Sequence, residues 1–206
     1  PTVSVMGFGN STNLLGTLHL PPVGGFANFT DLRFNLVGSS RIVFMMDSAV
    51  PILSTTINVT VGPAMSLELV VEPLGSSGGL PFSRQPAVAV VDLGGNTVMQ
   101  PHLVVASPVA NGTTFGNNSL LTVGGLANFT NLLLNQASSH KLVFTSSGLV
   151  PVMSQPFSVA VGPAFSLVLG TQPVAGNGGM VFATMPRVDV HDRGGNLVST
   201  LTGTVG

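Results

Sequence analysis

Residues 23–30 read Val-Gly-Gly-Phe-Ala-Asn-Phe-Thr, and residues 123–130 read Val-Gly-Gly-Leu-Ala-Asn-Phe-Thr. Other segments return at the same spacing of one hundred residues, among them Gly62-Pro63-Ala64 (162–164) and the Asp-x-Gly-Gly-Asn stretch of 92–96 (192–196). Roughly 40% of the aligned positions are identical, which is far above chance for a self-comparison at one fixed period. A repeat of this length is a whole domain. We therefore expect the chain to be a segment of a tandem array, an arrangement typical of rods, stalks and fibres.

The composition predicts an all-β protein. Charged residues make up only 6% of the 206 residues, and the net charge of −1 gives no electrostatic footprint for nucleic acid or acidic lipid. The mean hydropathy is high, at +0.55, yet 26 Gly and 15 Pro interrupt every apolar run. No run approaches the roughly 18–20 residues that a membrane span requires. We therefore expect many short strands separated by turns, negligible helix and no membrane span.

Alternating apolar residues support this interpretation. Val88 and Val90 share one face of a strand, while the opposite face holds Ala87 and Ala89 in one repeat and charged residues in the other. That exchange predicts a solvent-facing outer side. Seven or eight strands per repeat, with turn signals every 8–12 residues, are typical of a two-sheet sandwich.

The repeat predicts the domain boundaries. Taking Gly-Pro-Ala as the start of each domain gives one complete repeat at 63–162, later strands only at 1–62, and opening strands at 163–206. Proline fixes φ and favours extended geometry before it, so the junctions are expected to be stiff. Residues 163–206 followed by 1–62 would make one further repeat. Either the sequence is an arbitrary stretch of a longer continuous chain, or the carboxy-terminal strands of one molecule complete the amino-terminal half-sandwich of the next.

Three motifs recur: Gly-Gly-x-Ala-x-Phe-x-x-Leu (24–32 and 124–132), x-Val-x-Val-Gly-Pro-Ala (58–64 and 158–164) and Val-x-Val-x-Asp-x-Gly-Gly-Asn (88–96 and 188–196). The chain resembles the tandem immunoglobulin-like repeats of large secreted and cell-surface proteins, including adhesin stalks and extracellular filaments. The resemblance implies immunoglobulin-like β-sandwich repeats of about 100 residues. Such repeats usually carry a Tyr near the place of Arg41 and Lys141, so a tyrosine-corner bond is absent here.

N-linked glycans are the one covalent modification that the sequence predicts. Six Asn-x-Ser/Thr sequons occur, at Asn10, Asn28, Asn58, Asn111, Asn117 and Asn128. Two of them, Asn28 and Asn128, occupy equivalent positions of the repeat. Sugar on outward positions would keep a surface with few charges soluble. The sequons favour an extracellular or cell-surface location reached by secretion.

Other candidate chemistry is sparse. The Asp92/Asn96 and Asp192/Asn196 pairs could ligate calcium, but they more simply bond the backbone amides of their own turns. Asp189 and His191 share one strand face and could form half of a metal site, although Ala89 and Val91 replace them in the other repeat. With seven acidic residues and no recognisable nucleophile or phosphate-binding motif, we expect no enzymatic activity, no metal and no cofactor.

Two functions remain open. The first is a structural extracellular glycoprotein whose repeats assemble head-to-tail, or continue covalently, into a rod or fibril; its partners are copies of itself or adjacent repeats. The second is a stalk or a carbohydrate- or receptor-binding segment of a cell-surface adhesin. The chain has no Trp or Tyr, the residues most used to stack sugars and anchor interfaces, which favours the first.

Overall fold

The computed structural model describes residues 1–9, 13–109 and 114–199. Every regular element in these ranges is a β-strand, and none is a helix, which confirms the all-β prediction. No helix in this part of the chain is long and apolar enough to cross a membrane.

Seven strands precede residue 63. Five of them form one antiparallel sheet in the order β3-β1-β5-β6, with β7 also pairing with β5, and β2 pairs with β4. Their bounds are β1 (Val3–Gly9), β2 (Leu14–Leu15), β3 (His19–Leu20), β4 (Arg33–Phe34), β5 (Gly38–Met45), β6 (Ile52–Leu53) and β7 (Ile57–Val59).

Eleven strands lie between residues 63 and 162. They form a three-stranded sheet, β13-β9-β8, a four-stranded sheet, β12-β10-β16-β17, and the pairs β11-β14 and β15-β18. Their bounds are β8 (Ser66–Val71), β9 (Ala87–Val91), β10 (Leu103–Pro108), β11 (Thr114–Phe115), β12 (Ser119–Leu121), β13 (Leu126–Asn128), β14 (Leu133–Leu134), β15 (Ser138–His140), β16 (Leu142–Thr145), β17 (Val152–Met153) and β18 (Phe157–Val159). After residue 162, β19 (Ser166–Thr171) and β20 (Arg187–His191) form an antiparallel hairpin.

Strand registers repeat along with the sequence. Ser66 lies opposite Val91 in β8–β9, and Ser166 lies opposite His191 in β19–β20, each hairpin having one irregularity three residues later. The strand β1 departs from the period by one residue, because Val5 pairs with Phe44 whereas Ala106 pairs with Phe144. The first strand therefore corresponds to β10 at an offset of 101 rather than 100.

The main hydrophobic core lies between residues 67 and 159. It joins side chains from the three-stranded and four-stranded sheets of that segment and from β14 and β18, with Phe129 and Phe144 packed at a ring-centroid distance of 5.5 Å. A smaller cluster centres on Val5, Leu14 and Ile42. Among the described residues after 162, Asp192 has the only buried side chain.

One prediction about β9 is wrong. Ala87 and Ala89 were expected on a solvent-facing side, yet all five residues of β9 are buried. Because β9 is the central strand of its sheet, β8 and β13 flank it on both sides and leave its small outward side chains little exposed area. In β20, which pairs only with β19 in the described chain, Arg187 at the position equivalent to Ala87 is exposed.

Candidate functional site

The candidate site is the joint between successive repeats, and it is built around the turn that follows β9. The Asp92 Oδ1 atom accepts hydrogen bonds from the backbone N–H groups of Gly94 and Asn96, both at 2.8 Å. The side-chain amide nitrogen of Asn96 lies 3.0 Å from each oxygen of the same carboxylate. Gly95 has a φ of 84°, which an L side chain rarely adopts. These contacts match the turn-stabilising role that the sequence predicts for Asp92 and Asn96.

The same two side chains also bond to segments before residue 63, which sequence reasoning missed. The Gly62 N–H donates to Asp92 Oδ2 at 2.8 Å. The Asn96 side-chain amide donates to the carbonyl oxygen of Asn35 at 2.6 Å, and its Oδ1 accepts from the Val37 N–H at 3.0 Å. Asn96 therefore satisfies a carbonyl and an amide of the same loop, as a neighbouring strand would.

The second joint reproduces the first. Asp192 and Asn196 make the corresponding bonds to the segments that precede residue 163. The distances are 2.8 Å from the Gly162 nitrogen to Asp192 Oδ2, 2.7 Å from the Asn196 side-chain nitrogen to the Asn135 carbonyl oxygen, and 2.9 Å from the Ala137 nitrogen to Asn196 Oδ1. The same geometry at both positions indicates that the joint is a recurring part of the repeat.

Electrostatics reinforce this arrangement. Burial of the Asp92 carboxylate by itself raises its pKa, but hydrogen bonds from Gly62, Asn96 and Gly94 together outweigh burial and bring the pKa below its ordinary value of 3.8. The pKa of Asp192 is lowered for the same reasons, with Gly162 and Asn196 as the main donors. Both side chains are therefore charged near neutral pH, and charge-assisted bonds are the stronger kind.

Close packing at the joint depends on glycine. A Cβ atom on Gly94 would overlap the carbonyl oxygen of Asn35, and one on Gly194 would overlap the carbonyl oxygen of Asn135. In both joints the turn backbone therefore approaches the preceding loop more closely than any residue with a side chain allows.

The two joints differ in one respect. At the second joint the loop Gly78–Leu80 packs beside Gly162 and Arg193, leaving a cavity of about 150 Å³. At the first joint no described residue occupies the equivalent place, and a groove of about 780 Å³ remains. The groove is lined by Arg33, Phe34, Asn35, Val59, Thr60, Gly62, Pro63, Ala64, Met65, Asp92, Leu93 and Gly94.

Four sequons lie in the described chain, and all four Asn residues are exposed. Asn28 and Asn128 occupy matching places, the latter at the end of β13. Asn58 in β7 accepts a hydrogen bond from the Ser39 hydroxyl through its Oδ1 at 2.7 Å, so this bond does not use the amide nitrogen to which a glycan attaches. Asn117 follows β11. Asn10 and Asn111 lie outside the described residues.

The candidate metal residues are engaged differently from a cation site. The oxygens of Asp92 and Asp192 face N–H donors, which suits a carboxylate satisfied by hydrogen bonds. Asp189 pairs with the Arg187 guanidinium at 3.0 Å rather than with His191. In the part of the chain that the structure describes, no three His, Asp or Glu residues lie close enough to hold a metal ion.

The chain was compared with known proteins by family model and by sequence. No family model matches it, and no curated protein matches it.

Proposed function

We propose that the protein is a structural extracellular glycoprotein whose tandem immunoglobulin-like β-sandwich repeats build a rod or fibril. The observation that carries this proposal is the joint: the same carboxylate and amide side chains bond the same backbone groups at both junctions. A joint that repeats its contacts also repeats its angle, and a constant angle between equal units generates a rod or a shallow helix.

The joint works by limiting bending between repeats. Proline follows directly after Gly62 and Gly162, so the linker has few backbone conformations. The Asp and Asn side chains then tie the linker and the preceding loop to the turn of the next repeat. Bending one repeat against its neighbour would break three hydrogen bonds at once, one of them to a buried carboxylate.

The glycans complete the proposal. Exposed sequons at Asn28, Asn58, Asn117 and Asn128 would carry sugar outward from a surface with few charges. Sugar beside a strand blocks edge-to-edge association in the way that charges and prolines do in other β-proteins. The location that fits this role is extracellular, and no cofactor takes part.

Negative-stain electron microscopy of the chain secreted from eukaryotic cells tests this function. We expect unbranched filaments of uniform width, together with a fall in mass after glycosidase treatment. Compact separate particles at all concentrations would overturn the proposal. Short stalks that end in a distinct tip would favour the adhesin alternative.

A further inference from the structure

The segment 1–62 has an apolar face that no described strand covers. Phe29, Phe34 and Phe44 pack against the cluster around Val5, Leu14 and Ile42 but are only half-buried. In the complete repeat the counterparts of Phe29 and Phe44 are Phe129 and Phe144, which are at most 2% exposed. The complete repeat differs by having β8 and β9, whose side chains enter the same core.

The hairpin β19–β20 has the complementary defect. Leu167 is 71% exposed and Val188 is 52% exposed, whereas their counterparts Leu67 and Val88 are 5% and 0% exposed. Phe182 is exposed as well, while Phe82 packs edge-on against Phe157 at a ring-centroid distance of 5.1 Å. The hairpin therefore exposes residues whose counterparts are buried in the core of the complete repeat.

The strand edges show the same complementarity. In the complete repeat, β9 pairs with β13, and Leu126 lies opposite Ala89. The equivalent hairpin strand β20 pairs only with β19 in the described chain, and residues 26–28, equivalent to β13, have no strand partner there. Each segment lacks the neighbour that the other would supply.

The groove at the first joint identifies its occupant in more detail. At the second joint, the N–H groups of Gly78 and Gly79 donate to the carbonyl oxygens of Ala160 and Leu134, at 2.9 Å and 3.1 Å. The counterparts of those two acceptors are Thr60 and Phe34, and both line the 780 Å³ groove. The counterparts of the donors are Gly178 and Gly179, which lie in the loop of the hairpin β19–β20.

We infer that residues 163–199 of a second copy of this chain cover the open face of residues 1–62. The hairpin completes the core, and its loop at Gly178 and Gly179 fills the groove beside Asp92. This inference rests on the proposed rod-forming function and specifies the contact by which copies join. A contact between the hairpin of one copy and the open face of another joins two different surfaces, so it is heterologous and propagates into an open filament.

The internal repeat fixes the register of this contact. Leu126 lies opposite Ala89 in the complete repeat, so Phe26 of one copy should lie opposite Asp189 of the other. Asn128 lies opposite Ala87, so Asn28 should lie opposite Arg187. In the complete repeat, Val90 N–H donates to the Gly125 carbonyl, so the adjacent pair Leu126 and Ala89 is a pair without mutual hydrogen bonds. The side chains of such pairs lie closest together in an antiparallel ladder, which suits a disulfide.

Cysteine cross-linking tests the inference, because the natural chain contains no cysteine. Chains carrying Phe26→Cys and chains carrying Asp189→Cys are purified separately, mixed and oxidised. We expect a reducible species of twice the 20.9 kDa chain mass, plus glycan, on a denaturing gel. Neither substitution changes a sequon. A chain carrying both cysteines should give a ladder of covalent multimers.

Two matched controls accompany the mixture. Ala89→Cys with Leu126→Cys in one chain places the disulfide at the equivalent position inside the complete repeat, and it should form without a rise in mass. Phe8→Cys mixed with Asp189→Cys should give only background dimer, because β1 corresponds to β10 in the other sheet.

Each result decides one way. The inference would be overturned if the mixture of Phe26→Cys and Asp189→Cys chains gave no more dimer than the Phe8→Cys control while the internal disulfide formed. A doubly substituted chain that oxidises only within itself would do the same. Filaments without the cross-link would leave the proposed function standing and point to a preceding repeat as the cover. The cross-link without filaments would support the inference and count against the rod.

Discussion

The side-chain amide of Asn196 donates a 2.7 Å hydrogen bond to the carbonyl oxygen of Asn135, sixty-one residues earlier in the chain. Asn96 and Asn35 are joined in the same way at 2.6 Å, and they too lie sixty-one residues apart. A side chain that bonds backbone groups in the preceding repeat ties the turn of one repeat to the loop of the one before it. Removing it should therefore loosen the joint without unfolding the complete repeat.

The substitution Asn196→Ala should free the loop around Ala137. It removes the acceptor of the Ala137 N–H and the donor to the Asn135 carbonyl. A hydrogen bond of this kind contributes about 1 kcal/mol, and a buried group left without a partner costs about 1–3 kcal/mol. We expect hydrogen exchange at the Ala137 amide to accelerate about tenfold, which corresponds to about 1.4 kcal/mol.

The control for Asn196→Ala is Gln100→Ala, which removes an exposed amide side chain away from the joint. It should leave exchange at Ala137 unchanged. Exchange that accelerates across the core strands β9 and β16 as well would mean that Asn196 supports the fold of the repeat and not the joint alone.

Acid should open the joints. The folded-state pKa of Asp92 and of Asp192 lies below 3.8, so their bonds contribute stability above the unfolded-state pKa. That contribution begins to fall near pH 4 and is lost as the pH drops through the lower folded-state pKa. As far as these two groups are concerned, we expect the thermal midpoint to change little between pH 7 and pH 5. At pH values below about 4, the thermal midpoint should decrease.

The variant Asp192→Asn tests the cause of that fall. Its thermal midpoint should be lower at neutral pH and should depend less on pH below 4, because one of the carboxylates with a lowered pKa is gone. Asp47→Asn, at an exposed position, serves as the control. A pH profile of Asp192→Asn parallel to that of the natural chain would contradict the assignment.

Alanine at Gly94 should force the turn away from the preceding loop. Its Cβ would overlap the Asn35 carbonyl oxygen, which already accepts the bond from Asn96. Overpacking of this kind costs about 1–3 kcal/mol. We expect faster hydrogen exchange at the Val37 amide and more strongly curved filaments in electron micrographs.

Gly95→Ala is the comparison within the same turn. Gly95 has a φ of 84° but no atom within 4 Å of the new Cβ, so its substitution strains the turn by about 1 kcal/mol without touching the loop. Exchange at Val37 should then stay closer to that of the natural chain. Equal exchange rates at Val37 in the two variants would show that turn strain, rather than the close approach, sets the joint.

The sequence predicted the local parts of this site but not its connections. Gly62-Pro63 marked the joint, and Asp92 with Asn96 marked the turn, because each is a short motif repeated at one spacing. The bond from Asn96 to Asn35 spans the joint between folded units, and no local pattern encodes such a distance. The repeat gives the recurrence of these residues, while the structure gives their contacts.

Two strands show why the sequence predicts strand register and burial only in part. The apolar pattern alone does not determine the register of β10, because Leu103–Ala106 is apolar at four consecutive positions and either alternation fits one face. The outer side of β9 looked exposed because Ala87 and Ala89 align with Arg187 and Asp189. The two strands have different neighbours in the described chain, and burial depends on neighbours rather than on residue type alone.

Truncation of equivalent phenylalanines should separate the complete core from the open one. Phe129 is 2% exposed and packs on Phe144, so Phe129→Ala should lower the free energy of unfolding by about 3–5 kcal/mol at every protein concentration. Phe29 is half-buried and lies 6.1 Å from Phe44 between ring centroids. Phe29→Ala should cost less in dilute solution, where the face stays open, and more as concentration rises and a second copy covers it.

Denaturant unfolding of the natural chain and of both variants, followed over a hundredfold range of protein concentration, measures the difference. Both substitutions keep their Asn-x-Thr sequons, so the glycans remain constant. Only the Phe29→Ala cost should depend on concentration, because mass action stabilises the folded state only where folding includes association. Filaments could still assemble while the loss of unfolding free energy caused by Phe29→Ala is independent of concentration. That result would mean that the open face of residues 1–62 takes no part in the contact between copies.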